Sequence, residues 1–298
     1  MTARIALVLL LLAILWGSAF PGIKIALEAI APGHLTLTRH LIASACYLPV
    51  LFLLRLRLFP ARRDLGYFLL LGLLGTAIYH TALNFGQTQV PAGTASLIIA
   101  TAPAITAVVA AFLLKDRLPP LGWLGIFVSF AGVALLVLGG GGSVELNPFA
   151  LLVLLSAVVT AFYAVLQKGI LNRYKAVEVI AFSTWAGTLL LLVFAGGLAE
   201  GVRTASARSL LALLYIGVVP SAIANALFTY GISKAPVTLV SVFLYTVPVF
   251  SLLFSWLLVG EVPTYITLLG GLIAVAGVVI VNRSKRRVSR GSPAAVAD

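Results

Sequence analysis

Three histidines, one cysteine and eight carboxylates are the groups in this 298-residue chain that could ligate a metal, attack a carbonyl carbon or relay a proton. His80 stands far from His34 and His40, and Cys46 sits alone inside an apolar run, so neither a metal-ligand spacing nor a disulfide framework is visible. Glu28, Asp64, Asp116, Glu145, Glu178, Glu200, Glu261 and Asp298 all fall at the ends of apolar runs, between them, or in the tail. No HExxH, acidic cluster or serine with a base can be assembled from these residues, so neither enzymatic chemistry nor a metal or cofactor is expected. What remains is recognition by polar and aromatic groups set in apolar surroundings. Such groups are costly in hydrocarbon and mark a pathway by default.

His80 follows Tyr79 directly and stands one turn before Asn84, and an imidazole at that depth can donate or accept hydrogen bonds near neutral pH. Tyr163, Trp185 and Tyr245 add hydroxyl and indole N–H groups with rings that can stack on a ligand or hold a cation. With Asn225 these form the expected substrate-binding set; plain helix packing is the competing reading for each. Trp16, Gly17, Pro103 and Pro248 are the candidates for helix breaks and gating. Lys24 and Arg39 could meet a substrate carboxylate. The plainer expectation is an i,i+4 pair of Lys24 with Glu28, and an Arg39 that snorkels to the outer interface. With no carboxylate at mid-span, proton coupling would need His80 or another device, and facilitated diffusion is the alternative.

Positioning these groups falls to helices that cross a membrane. The chain is 61% hydrophobic and 9% charged, with a mean hydropathy of +1.14, well outside the composition of soluble domains. Apolar runs long enough to cross the hydrocarbon core predict spans at 4–27, 33–55, 65–89, 92–114, 120–139, 147–170, 177–199, 207–232, 235–258 and 263–282. Helices are required because lipid offers no partner to a free backbone group, and the alternation of barrel strands is missing. The first run lacks a small-x-small cleavage site and reads as a span rather than a signal peptide.

A net charge of +12 would suggest nucleic acid in a soluble protein; here the basic residues fall in short loops and the tail, so no nucleic-acid partner is expected. With ten spans and a cytoplasmic N-terminus, the inside segments hold Arg55, Arg57, Arg62, Arg63, Lys168, Arg173, Lys175 and the tail cluster, whereas the outside loops hold Arg203 and Arg208. Both termini are therefore expected in the cytoplasm of a multi-pass inner-membrane protein. The expected partners are the bilayer and a small-molecule substrate, and the expected state is a monomer, with a homodimer as alternative.

Sliding the chain by 145 residues, without gaps, matches Pro91 to Pro236, Ser96 to Ser241, Thr101 to Thr246, Pro103 to Pro248, Asp116 to Glu261, Gly125 to Gly270 and Gly132 to Gly277. This divides the chain into repeats at 1–141 and 147–282 and a basic tail at 283–298, expected to be disordered. Five spans per repeat is odd, so the halves enter the membrane in opposite senses, an arrangement that places a substrate site near the midplane. The same offset pairs His80 with Asn225. The small-residue faces Gly125-xxx-Ser129-xx-Gly132 and Gly270-xxx-Ala274-xx-Gly277 predict that the fifth and tenth spans pack on each other.

Leu15-Trp16-Gly17-Ser18-Ala19-Phe20-Pro21 resembles the opening signature of EamA-type transporters in the drug/metabolite transporter superfamily. Val259-Gly260-Glu261-Val262-Pro263, followed by Leu269-Gly270-Gly271 and Ala276-Gly277, is similar to the closing signature, and Lys115-Asp116-Arg117-Leu118 is a weaker first-half copy. The resemblance implies an all-α basket of ten helices in two inverted repeats, with the first, third, fourth, sixth, eighth and ninth helices around a central cavity. It implies alternating-access export of small metabolites. An aromatic-rich cavity resembles that of YddG-type exporters, which implies aromatic or other neutral amino acids, or aromatic or cationic drugs, as cargo.

Overall fold

The computed structural model describes residues 3–113, 119–139, 147–234 and 245–291, and among these there are helices and no strands. Among the described residues, eight helical stretches are long and apolar enough to cross a membrane. They are α1 (Ala3–Leu27), α2 (Pro32–Leu53), α3 (65–86), α4 (92–113), α5 (Pro120–Gly139), α6 (Pro148–Ile170), α7 (Ala176–Leu190, tightening into a 3-10 turn at Leu191–Phe194) and α8 (207–234). Two further apolar helices are shorter in their apolar part: α9 (Val247–Val259) and α10 (Tyr265–Gly291). Large apolar side chains such as Phe52, Phe127, Val193, Leu211 and Leu272 stand exposed around the outside, where lipid rather than water suits them.

Local chemistry sets the ends. Pro32, Pro120 and Pro148 open their helices where a missing N–H costs nothing. The Asn147 side chain accepts from the N–H of Phe149 and Ser206 accepts from Ser209, capping α6 and α8. Gly260, at φ 73, ends α9 in the left-handed conformation that a side chain would resist. The α10 helix runs on to Gly291, past the predicted stop at Asn282, so the first part of the tail continues the helix instead of leaving it. Asp116, the first part of the predicted ninth span and residues 292–298 lie outside the described residues.

Two devices interrupt the helices. In α4, Pro103 has no N–H to give the carbonyl of Ile99, and the helix breaks into Ala92–Ile99 and Ala102–Leu113. The Thr101 hydroxyl donates to the Ile98 carbonyl at 2.6 Å, and the N–H groups of Ala104 and Ile105 restart the ladder on the Thr101 carbonyl. Residues 145 further on repeat this start: Val249 and Phe250 donate to the Thr246 carbonyl, and Pro248 is the second residue of α9. The second device is a widened π turn, at Leu73–Ile78 in α3 and at Val219–Ala224 in α8. These two also stand 145 residues apart, to within one position.

The small-residue faces of α5 and α10 do pack on each other. A Cβ added at Gly132 would lie 2.3 Å from the Ala274 nitrogen, and one at Gly277 would lie 2.3 Å from the Ser129 nitrogen, so backbone meets backbone along this seam. Gly17 plays the same part for α1 against α9, where an added Cβ would lie 2.6 Å from Phe250 Cβ.

Candidate functional site

The two π turns carry the site. Just after the α3 turn come Tyr79 and His80; within the α8 turn stands Ser221, with Asn225 following. Pro220 leaves the Ile216 carbonyl without its usual donor, and the Ser221 hydroxyl donates to it at 2.7 Å. The same oxygen accepts two N–H groups of Arg39 on α2, Nε at 3.1 Å and Nη2 at 2.9 Å. Tyr47, two turns further along α2, donates to the carbonyls of Ser221 and Ala222, and the Asn225 amide donates to the Ser221 carbonyl. Backbone groups loosened by the π turn are thus taken up by side chains of α2 and α8.

On the other side of Arg39 stand two histidines. The rings of His40 and His80 lie 4.3 Å apart and tilted by 56°. His40 Nδ1–H donates to the Thr36 carbonyl at 2.8 Å, and Asn84 Nδ2 donates to the Thr36 hydroxyl at 2.8 Å. Arg39 and His40 are 2% exposed and Asn84 is fully buried. Among the described residues, Arg39 Nη1, His80 Nδ1 and Asn84 Oδ1 are buried with no hydrogen-bond partner, as is Thr38 Oγ1 on the helix that carries Arg39. Buried polar atoms left unpaired cost free energy, so these atoms are candidates for holding a further group.

The loops at the helix ends form two separate networks. At one end, Asp64 accepts from the Tyr174 hydroxyl at 2.7 Å and pairs with Arg173 at 2.7 Å, while Glu178 accepts from the N–H groups of Arg57 and Lys175. At the other, Arg208 pairs with Glu28 at 3.5 Å and donates to the Leu258 carbonyl, and Glu261 accepts from the Ala92 N–H at 2.7 Å, capping α4.

The model of the EamA-like transporter family matches the chain twice, over residues 3–138 and 147–283. The chain belongs to that family. It is 38% identical over 264 residues to the uncharacterized transporter YdfC of Bacillus subtilis (strain 168), covering 89% of this chain and 86% of that protein. It is 35% identical over 275 residues to a probable terminal-alkyne amino-acid exporter of Streptantibioticus cattleyicolor, covering 92% of each. It is 32% identical over 282 residues to the uncharacterized inner membrane transporter YedA of Escherichia coli (strain K12), covering 91% and 88%. A crystal structure with 21% sequence identity superposes with a TM-score of 0.68 over 97% of this chain and 99% of its own, a likeness of fold. The chain is therefore a multi-pass membrane transporter and not an enzyme.

Of the expected binding residues, Tyr79 and His80 stand near Arg39, Asn225 donates to the carbonyl of Ser221, whose hydroxyl holds Arg39, and Asn84 bonds Thr36, one turn before Arg39 on α2. Tyr163 lies beside them against Gly75 of the α3 π turn, its hydroxyl accepting from Gln167 at 2.9 Å. Trp185 stands apart, its indole N–H given to the Ser44 carbonyl at the α2–α7 contact. Tyr245 lies just before α9, next to residues outside the description. Trp16 packs on Phe228, ring centroids 4.9 Å apart.

Two expectations about charged side chains fail. Arg39 does not snorkel; it is buried and bound to Ser221, because the α8 π turn offers it an acceptor at depth. Glu28 pairs with Arg208 of α8 rather than with Lys24, since helix packing brings a guanidinium closer than the local lysine. His40 and Ser221 were not anticipated at all. Their signals were present: a proline directly before Ser221, and beside His40 an arginine with no acidic residue three or four positions away in either direction.

Proposed function

We propose that the chain is a secondary exporter of small metabolites, namely aromatic or other neutral amino acids, working by alternating access around the Arg39–His80–Asn84–Ser221 cluster. The observation that carries this reading is the set of unpartnered buried polar atoms bordered by a π turn from each half. In this reading ten helices form two inverted repeats around a central cavity, both termini face the cytoplasm, and the membrane is the inner one. The double family match, the repeated start at Thr101 and Thr246, and the 145-residue spacing of the π turns support the two-half arrangement. The amino-acid class is supported by the name of the Streptantibioticus relative.

Charge supports the orientation. The end carrying Asp64, Arg173 and Glu178 also bears Arg55, Arg57, Arg62, Arg63 and Lys175, while the opposite end bears Arg203 and Arg208. Among the described residues every carboxylate lies at a helix end or in a connection, which favours flux without a proton relay through a carboxylate.

The test is uptake of labelled phenylalanine and leucine into proteoliposomes. Tyr79→Ala and His80→Ala should lower uptake at least several-fold with folded protein unchanged. Unchanged uptake in both variants sinks the site, and a wild type inert to every amino acid sinks the substrate class.

A further inference from the structure

Among the described residues, Arg39 is a buried cation with no anion beside it. Its guanidinium is 2% exposed and touches one neutral acceptor, the Ser221 hydroxyl, through Nε and Nη2, while Nη1 has no partner. An arginine stays charged at any physiological pH, and removing that charge from water without a counter-ion is strongly unfavourable. The described acidic residues are engaged elsewhere: Glu28 with Arg208, Asp64 with Arg173 and Tyr174, Glu178 with two backbone N–H groups, Glu200 with Arg203, Glu261 with Ala92. Among the described residues, the titratable side chains beside it are Tyr79, His40 and His80, and they add no negative charge.

Resting on the amino-acid reading above, we propose that Arg39 is the carboxylate-binding residue of the transport site, and that the cargo supplies the missing anion. Nη1 donates to a carboxylate oxygen, with His80 Nδ1 within the same cluster as a second group that can face it. Asn84 Oδ1, the unpaired acceptor of the cluster, is suited to the ammonium end of a zwitterion. A donor open on Arg39 and an acceptor open on Asn84, which bonds Thr36 one turn before Arg39, match a molecule with both charges and no net charge. Ser221 is the positioning residue: its hydroxyl holds two guanidinium N–H groups and leaves Nη1 free. An amine lacking the acid would put a second cation beside Arg39 and be repelled.

The experiment uses the purified full chain and ligand pairs that differ only in the anion. L-Phenylalanine is compared with L-phenylalaninamide, and L-leucine with L-leucinamide, by thermal stabilisation and by competition for uptake. The acid of each pair should bind about tenfold tighter than its amide or better. Arg39→Gln should abolish that preference, and Arg39→Lys should restore part of it. Amides binding the wild type as tightly as the acids would overturn the proposal, and this comparison needs no variant to fold. If amino acids fail to bind, benzoate against benzamide separates the two readings. An Arg39-dependent preference for benzoate keeps the carboxylate site while removing the amino-acid class, and equal behaviour of acid and amide removes the site as well.

Discussion

The Ser221 hydroxyl answers two demands: it donates to the Ile216 carbonyl that Pro220 cannot serve, and it receives Arg39. Ser221→Ala should therefore destabilise the folded protein by about 1–3 kcal/mol, the cost of unpairing buried polar groups. Denaturant titration in micelles would measure it, and the loss should shrink in an Arg39→Met background, where the guanidinium no longer needs the acceptor. Ser221→Thr should retain most of the stability because it keeps the oxygen. The contrast with Trp185 is instructive. An aromatic at a plausible depth looked available for substrate, yet its one donor is consumed by Ser44. Side-chain type was legible in the sequence, and which partner had already claimed it was not.

Among the helices, the predictable features were those whose cause is local. Pro103 breaks α4 because a missing N–H acts on its own turn, and the glycines of α5 and α10 meet because small residues at i, i+4 and i+7 form a face whatever surrounds them. The π turns and the His40–His80 contact depend on how neighbouring helices rotate and lean, information that no short window holds. The break in α4 leaves the Ile99 carbonyl without a donor from its own ladder. Pro103→Ala supplies that donor and should straighten the helix. We expect thermal stability equal to or above wild type, with uptake reduced at least several-fold, measured on the same preparation; retained uptake would show that the break is only structural.

For the whole molecule, the orientation reading makes a direct prediction. Cys46 is the single cysteine, so its replacement by Ser gives a background in which one cysteine reports one position. On intact cells an impermeant maleimide should label Thr204→Cys, an exposed site between α7 and α8, and should leave Arg62→Cys, between α2 and α3, unlabelled until the membrane is opened. The opposite pattern would invert the topology. The π turns also bear on how such a molecule tolerates a change in length. A π turn holds one residue more than an α-helix of the same register needs. Deleting a single residue within 73–78 would let α3 close into an unbroken α-helix with Leu65–Gly72 and Tyr79–Gly86 still on their present faces. The shortened chain should assemble and reach the membrane, but with the slack in its backbone gone. Each family-matched segment thus carries a spare residue in one helix, and uptake by the shortened chain would tell whether transport needs it.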